Sequence, residues 1–311
     1  MALCIVRPAQ GREDVAVRVA LHDGDYNKSG KLFPNLPLLK LAAYEKGRGN
    51  KVEWFIPLMD YDVVYSSKVF NFTKRDIFLP KNTVYGGTGY GINVCLPDNI
   101  EHCCPDYEFG KLNYSIGFLT RGCPNKCPWC IVPSKEGSIR EHADIEEFAR
   151  HRDVVLMDNN ILACDHGIRQ IEKMSRLGLK VDFNQGLDAR RIDYQIAQRL
   201  AALRWLKPIR LACDRKEQMK SVEKAVKLLR EAGAKPKAYS CYVLVNDIDD
   251  AIYRVEFLRS LGVEPFAQPY RDFNTLSEPT LEQKQYARYV NHKAIFKSIS
   301  WDKYAHTVGV A

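Results

Sequence analysis

From residue 115 to residue 268 the chain alternates short apolar, β-branched runs with amphipathic stretches, and this alternation limits its choice of fold more than any other feature. The strand-like runs are 115–119, 154–157, 180–183, 208–212, 237–245 and 263–268. Helical stretches lie between them at 145–150, 164–177, 193–202, 217–232 and 248–261, with Gly178, Gly233 and Gly262 where helix C-caps belong. Six strands alternating with helices predict a partial (β/α)6 barrel, in which chemistry collects at the carboxyl ends of the strands.

The first third is a separate and shorter α/β series. It comprises a strand at 15–21, a turn-rich stretch at 22–30, a helix that Pro37 opens and Gly47 and Gly49 end, and strands at 51–56, 63–70 and 83–85. This order predicts a small parallel sheet with Rossmann-like connections. The last strand runs into Gly86-Gly87-Thr88-Gly89, which invites a phosphate-cradle reading, yet no GxGxxG is present and a tight turn explains the glycines equally. Pro97, Pro105 and a lack of periodicity mark 92–112 as a linker, and 281–297 reads as a helix followed by a short extension. The expected organisation is therefore a Rossmann-like domain at 1–110, a barrel at 111–280 and a helical extension at 281–311.

With 311 residues, 46% hydrophobic and 27% charged, the chain is long enough for two such cores. No apolar run approaches the roughly 18 residues that a membrane span needs. The first ten residues, interrupted by Arg7 and Pro8, lack the long apolar region of a secretory signal, so the chain reads as cytoplasmic. The net charge of +8 is uneven: residues 1–110 hold 13 basic and 13 acidic side chains, whereas 199–237 hold 12 basic and 4 acidic. A basic stripe attracts polyanions, and a solvated helix face has the same composition.

Ten cysteines in a reducing compartment argue for thiols or metal ligands rather than disulfides. Cys4, Cys95, Cys164, Cys213 and Cys241 are scattered singly and read as buried structural thiols. Cys103 and Cys104 are adjacent, and neighbouring side chains in an extended segment point apart, so they read as one loop thiol and one core thiol. Cys123, Cys127 and Cys130 differ. They stand at CxxxCxxC in Thr120-Arg121-Gly122-Cys123-Pro124-Asn125-Lys126-Cys127-Pro128-Trp129-Cys130, directly after the first strand of the second series. Such a loop can converge three thiolates on one metal centre. Structural zinc takes four closed ligands, and an iron–sulfur cube usually takes four cysteines. Three leave one position open, unless Cys164 or Cys213 completes a structural site.

This loop, with an aromatic residue just before its third cysteine, resembles that of the radical S-adenosylmethionine (radical SAM) enzymes over about residues 112–275. The resemblance implies that Cys123, Cys127 and Cys130 hold three irons of a [4Fe-4S] cluster, that the fourth iron binds the methionine moiety of SAM, and that Trp129 lies near the adenine. It implies reductive cleavage of SAM to methionine and a 5'-deoxyadenosyl radical that abstracts hydrogen from a substrate, with an electron donor such as flavodoxin or ferredoxin. Asp158, Asn159 and Asn160 stand where the family binds the methionine amino group. Asn184, Gln185, Asp188 and Arg190, which end the third strand, suit ribose hydroxyls or a carboxylate. Asp214 ends the fourth. Asp158 and Asp188 serve equally as helix N-caps. The stretch Val243-Leu244-Val245-Asn246-Asp247-Ile248-Asp249-Asp250 departs from the glycine-rich segment of many members, and Tyr270 suits packing or a substrate contact. No side chain is assigned as the catalytic group.

The first domain resembles, by order and by Gly86-Gly87-Thr88-Gly89-Tyr90, the cobalamin-binding-type domain of one radical SAM subgroup. It lacks DxHxxG, and His22 reads as a surface or turn residue, so a degenerate scaffold without cobalamin is expected. The substrate class stays open among small molecules, peptides and RNA. A metal-stabilised nucleic-acid-binding protein that uses the 199–237 stretch is the alternative from another class.

Overall fold

A computed structural model describes residues 3–4, 16–26, 33–234, 239–273, 275 and 277–310. The expected strand start at Val15, the turn over 27–30, Lys237, the Cys4 side chain and most of the first ten residues lie outside the described set. The chain falls into two compact units, Met1–Gly117 with Glu146–His151, and Phe118–Ile145 with Arg152–Ala311.

In the first unit, Arg18–Asp23 is flanked on both sides by parallel neighbours, Lys51–Trp54 and Val63–Ser67, and Thr83–Gly86 completes the sheet beside Val63–Ser67. A central parallel strand is buried on both faces, which explains the unbroken apolar run Val19-Ala20-Leu21. The helix Leu36–Gly47 carries Pro37 in its first turn and packs Leu38, Leu41 and Ala42 into the same core. Residues 92–112 are not a linker. Ile100 is buried in that core, and Asp106 donates its backbone N–H to Leu39 O, so the apolar positions between the prolines are packing residues.

The glycines after Thr83–Gly86 serve the chain itself. A Cβ on Gly87 would stand 2.4 Å from Lys68 O, and one on Gly89 would stand 2.5 Å from Phe70 O. Two backbone segments meet there, and only glycine admits the approach. His22 departs from the turn expected for it. It lies on the central strand with its side chain 14% exposed, sharing Nδ1 with Ser66 Oγ of the neighbouring strand at 2.9 Å and facing Asp76 at 3.3 Å.

The second unit is a mixed α/β body built on parallel strands. Asp153–Leu156, Lys180–Phe183 and Arg204–Trp205 pair in sequence order, as do Ile209–Ala212, Tyr239–Val245 and Glu264–Pro269. Leu187 and Leu211 form an isolated parallel bridge with the same 24-residue offset as Lys180 with Arg204. Helices Asp165–Arg176, Tyr194–Ala201, Met219–Glu231 and Ile248–Ser260 make the return connections. Three of these helices are followed by Gly178, Gly233 and Gly262 at φ of 64°, 79° and 65°, the left-handed conformation that ends a helix. The first expected strand is shorter than its apolar run, Ser115–Gly117, because Thr120–Arg121 turns away to pair antiparallel with Arg140–Glu141.

The tail is three helices, Leu281–Asn291, Lys293–Ser298 and Trp301–Val308, rather than one helix and an extension. His292 breaks the first (φ −90°, ψ 88°) and its side chain accepts from Ile295 N, opening the next. Asn291, the last residue of the first helix, covers the edge strand: Ala267 N donates to Asn291 Oδ1 and Asn291 Nδ2 donates to Ala267 O, both at 2.8 Å. One amide thus caps the backbone of a strand that would otherwise present unpaired groups. No described helix is long and apolar enough to cross a membrane.

Candidate functional site

The cysteine loop is pinned at both ends. Thr120 pairs with Glu141 and Arg121 with Arg140, and the Arg121 guanidinium holds the Glu136 carboxylate through Nε at 3.0 Å and a second nitrogen at 2.8 Å. Gly122 has φ +82°, and a Cβ there would fall 2.2 Å from Ser138 O. Only glycine allows the outgoing and returning strands of the loop to cross so closely, and Cys123 N then donates to Gly137 O at 3.2 Å. A turn closed by Cys130 N on Cys127 O at 3.0 Å brings the last two cysteines together.

All three thiols are half-buried. Burial pushes the Cys127 thiol up, while Arg190 and Arg215 pull against it. Cys130 is raised by burial and by Cys127 and Cys123 nearby. The thiols are neighbours in one electrostatic environment, with two guanidinium groups beside them. Among the described residues no three His, Cys, Asp or Glu side chains are drawn together as a closed metal-ligand set. Three cysteines on one loop are nonetheless the donor chemistry of a thiophilic centre, which such residues ligate as thiolates. Cys213, weighed as a fourth ligand, is fully buried with its Sγ directed to Arg215 O, and Cys164 immediately precedes the helix Asp165–Arg176. Of the cysteines read as buried thiols, Cys213 and Cys241 are buried, Cys164 is half-buried and Cys95 is exposed because its strand, Val94–Cys95, lies at the surface of the first unit. Cys103 and Cys104 are both half-buried, so they do not divide into a loop and a core thiol.

The strand ends meet this loop. Asp158 accepts from Leu119 N at 3.1 Å, Thr120 N at 2.5 Å and Thr120 Oγ at 2.7 Å. Its carboxyl, raised by burial, is thereby committed to anchoring the approach to the loop. Asn159 Oδ1 accepts from Gly122 N at 3.3 Å. Asn160 is 4% exposed and donates from Nδ2 to Cys123 Sγ at 3.5 Å and to Asp188 Oδ2 at 3.1 Å. Its Oδ1 is a buried acceptor with no partner, the sole such side-chain atom among the described residues. A buried polar atom without a bond is costly, so this one points to a donor that a ligand would bring.

Asp188 joins the two strand ends to the loop. It accepts from Asn125 Nδ2 at 3.0 Å, from Asn160, and from Arg190 through two guanidinium nitrogens at 2.7 and 2.8 Å. It also accepts from Arg190 N at 3.2 Å, so its capping role and its role in the site coexist. Asn184 donates its N–H to Leu156 O and accepts the Tyr242 hydroxyl on its own carbonyl at 2.7 Å, while Gln185 is exposed. Asp214 accepts from Leu244 N at 3.1 Å, and burial raises its carboxyl. The Trp129 ring lies under the Arg215 guanidinium, 4.3 Å from its centroid.

Three contributors escaped the sequence reading. Asn125 sits between the first two cysteines, where no spacing rule selects it. Arg215 follows Asp214, and its stacking on Trp129 depends on two loops meeting. Arg254 is buried inside a helix, donating to Cys213 O, Leu244 O and Asp250 and so fixing the carboxyl ends of two strands. Asn246 and Asp247, by contrast, serve structure: Asn246 O accepts from Gln283, and Asp247 caps the helix Ile248–Ser260.

No family model matches the sequence, and no curated protein does. Among solved structures, the chain is similar to Streptococcus suis SuiB, in a crystal structure bound to precursor peptide SuiA, with TM-score 0.44 and 12% identity over 63% of this chain. The match spans 49% of SuiB, so the chain corresponds to about half of that protein.

Proposed function

We propose that the chain is a radical SAM enzyme, with Cys123, Cys127 and Cys130 as the three protein ligands of a [4Fe-4S] cluster and SAM at the remaining position. The observation that carries this reading is the CxxxCxxC loop held by Asp158 and Asn159 against the carboxyl ends of a parallel series, with the unpartnered Asn160 Oδ1 beside Cys123. In this reading residues 111–280 are the partial (β/α)6 barrel, 1–110 a Rossmann-like domain and 281–311 the extension that covers the barrel's last strand.

When bound, the cluster supplies the electron that cleaves the SAM sulfonium. The chain's own side chains bind and orient. Asn160 offers a buried acceptor to an amino or hydroxyl group, and Asn184 and Gln185 stand at the next strand end for further polar contacts. Arg190 and Arg215 place positive charge by the thiols, where it offsets the negative charge of thiolate ligation. Trp129, already stacked on Arg215, presents a flat face suited to an adenine.

The experiment is anaerobic reconstitution with iron and sulfide, reduction, and product analysis with SAM. Formation of 5'-deoxyadenosine and methionine is expected. A reduced, cluster-loaded protein that yields only S-adenosylhomocysteine, or no nucleoside product, overturns the radical assignment.

A further inference from the structure

We infer that Asn160 is a positioning residue that sets the reduction potential of the cluster by donating an N–H from Nδ2 to the sulfur of Cys123, and that Asp188 enforces this orientation of its amide. The inference rests on the cluster reading above. Four observations lead to it.

Asn160 Nδ2 lies 3.5 Å from Cys123 Sγ, within the range of an N–H···S bond. The side chain is 4% exposed, so water does not compete for that donor. An amide can be turned about its last bond, and orientation is fixed only by what surrounds it. Here Asp188 Oδ2, at 3.1 Å, decides: a carboxylate accepts and cannot donate, so the nitrogen must face it. Asp188 in turn accepts from Arg190 and from Asn125 of the cysteine loop itself, which favours its anionic form. The consequence is an amide aimed with its donor at one cysteine sulfur, even at the cost of leaving Oδ1 unbonded in the interior.

A donor to a ligating sulfur stabilises the more negative, reduced state of an iron–sulfur centre, and such bonds are among the levers that set its potential. Asn160→Leu keeps the shape of the side chain and removes the donor. It is therefore expected to make the cluster harder to reduce, lowering the reduced-to-oxidised ratio at a fixed applied potential by about tenfold, which is about 59 mV for a one-electron couple. The potential is read by redox titration followed by electron paramagnetic resonance, on full-length reconstituted protein without substrate, so the result does not depend on turnover. Iron content shows that the variant is loaded.

A second measurement needs no variant. Protein containing asparagine labelled with 15N at its side-chain amide, reduced and studied by hyperfine spectroscopy, is expected to show one exchangeable proton and its 15N coupled to the cluster. A wild-type protein that binds no cluster overturns the functional reading and this inference with it. A loaded wild-type protein with no such coupling, or an Asn160→Leu protein with an unchanged potential, overturns this inference alone.

Discussion

Asn125 donates to the Asp188 carboxylate at 3.0 Å across 63 residues of sequence, tying the middle of the cysteine loop to the end of the Lys180–Phe183 strand. The first ligand candidate is tied in from the other side, through Asn160. The loop is thus held by polar bonds to strand ends rather than by apolar packing, since Pro124, Lys126 and Pro128 are exposed.

Iron loading should follow the cysteine pattern. Replacing Cys123, Cys127 or Cys130 by Ala is expected to abolish the brown absorption and reduce iron from about four per chain to near zero. Cys103→Ala and Cys104→Ala should load normally, because both thiols have local backbone partners of their own, Cys103 Sγ on Asn99 O and Cys104 Sγ on Pro105 O. Loss of iron in either of these would identify the wrong ligands.

Two glycines of the loop separate conformation from crowding. Gly122 and Gly137 both have positive φ, 82° and 72°, but a Cβ meets Ser138 O at 2.2 Å in the first case and nothing within 4 Å in the second. Gly137→Ala should cost about 1–2 kcal/mol from the left-handed backbone alone and still take up iron. Gly122→Ala adds a backbone collision that no side-chain rotation relieves. Its expected outcome is failure to load iron, measured at equal concentrations of folded protein.

Arg254 offers a test of what fixes the strand ends. Its side chain is 1% exposed and bonds to two backbone carbonyls and to Asp250. Arg254→Met removes the charge and leaves Cys213 O, Leu244 O and the Asp250 carboxylate without their donor. A loss of about 3–5 kcal/mol in unfolding free energy is expected by urea titration.

Much of the α/β order was legible because parallel strands and helices carry their periods in contiguous sequence, and because Gly178, Gly233 and Gly262 mark helix ends locally. The cysteine spacing was equally local. What escaped depends on partners far along the chain. Ile100 looks like a loop residue until the core of the first unit surrounds it. His292 ends a helix within an otherwise periodic run because its side chain caps the next one. Asp158 carries the same sequence signal as any polar strand end, and only its bonds to Leu119 and Thr120, 39 and 38 residues away, reveal an anchor.

The basic stretch can be tested as an RNA footprint. Lys220, Lys224 and Lys227 are exposed on the helix Met219–Glu231, whose buried face is Val222, Ala225, Val226 and Leu229. Only Lys227 of the three has an acidic partner within the helix, Glu231 at 3.8 Å. If each lysine neutralises one phosphate of single-stranded RNA, reversing all three to Glu flattens the logarithmic salt slope by about 2, with 5'-deoxyadenosine formation from SAM alone unchanged. A slope equal to that of wild type assigns the lysines to a solvated face.

The last prediction concerns acid stability of the metal-free protein. Burial disfavours the Asp188 carboxylate, but the bonds from Arg190, Asn125 and Asn160 together outweigh it and hold its pKa below the usual carboxylate range. Because the folded value lies below the unfolded one, about 3.9, the stabilisation is complete above that pH and is lost as pH falls through the folded pKa. Asp188→Asn cannot hold a charge at any pH. At pH 7 it should be less stable than wild type by about 1–2 kcal/mol, a range kept low because Arg190 is partly in solvent and its share is screened. The difference should narrow steadily below about pH 4, where the wild-type carboxylate takes up its proton. Urea titrations of both proteins at pH 7, 5, 4 and 3 give the comparison. A gap that stays constant across this range would mean that shape, not charge, is what Asp188 contributes to the loop.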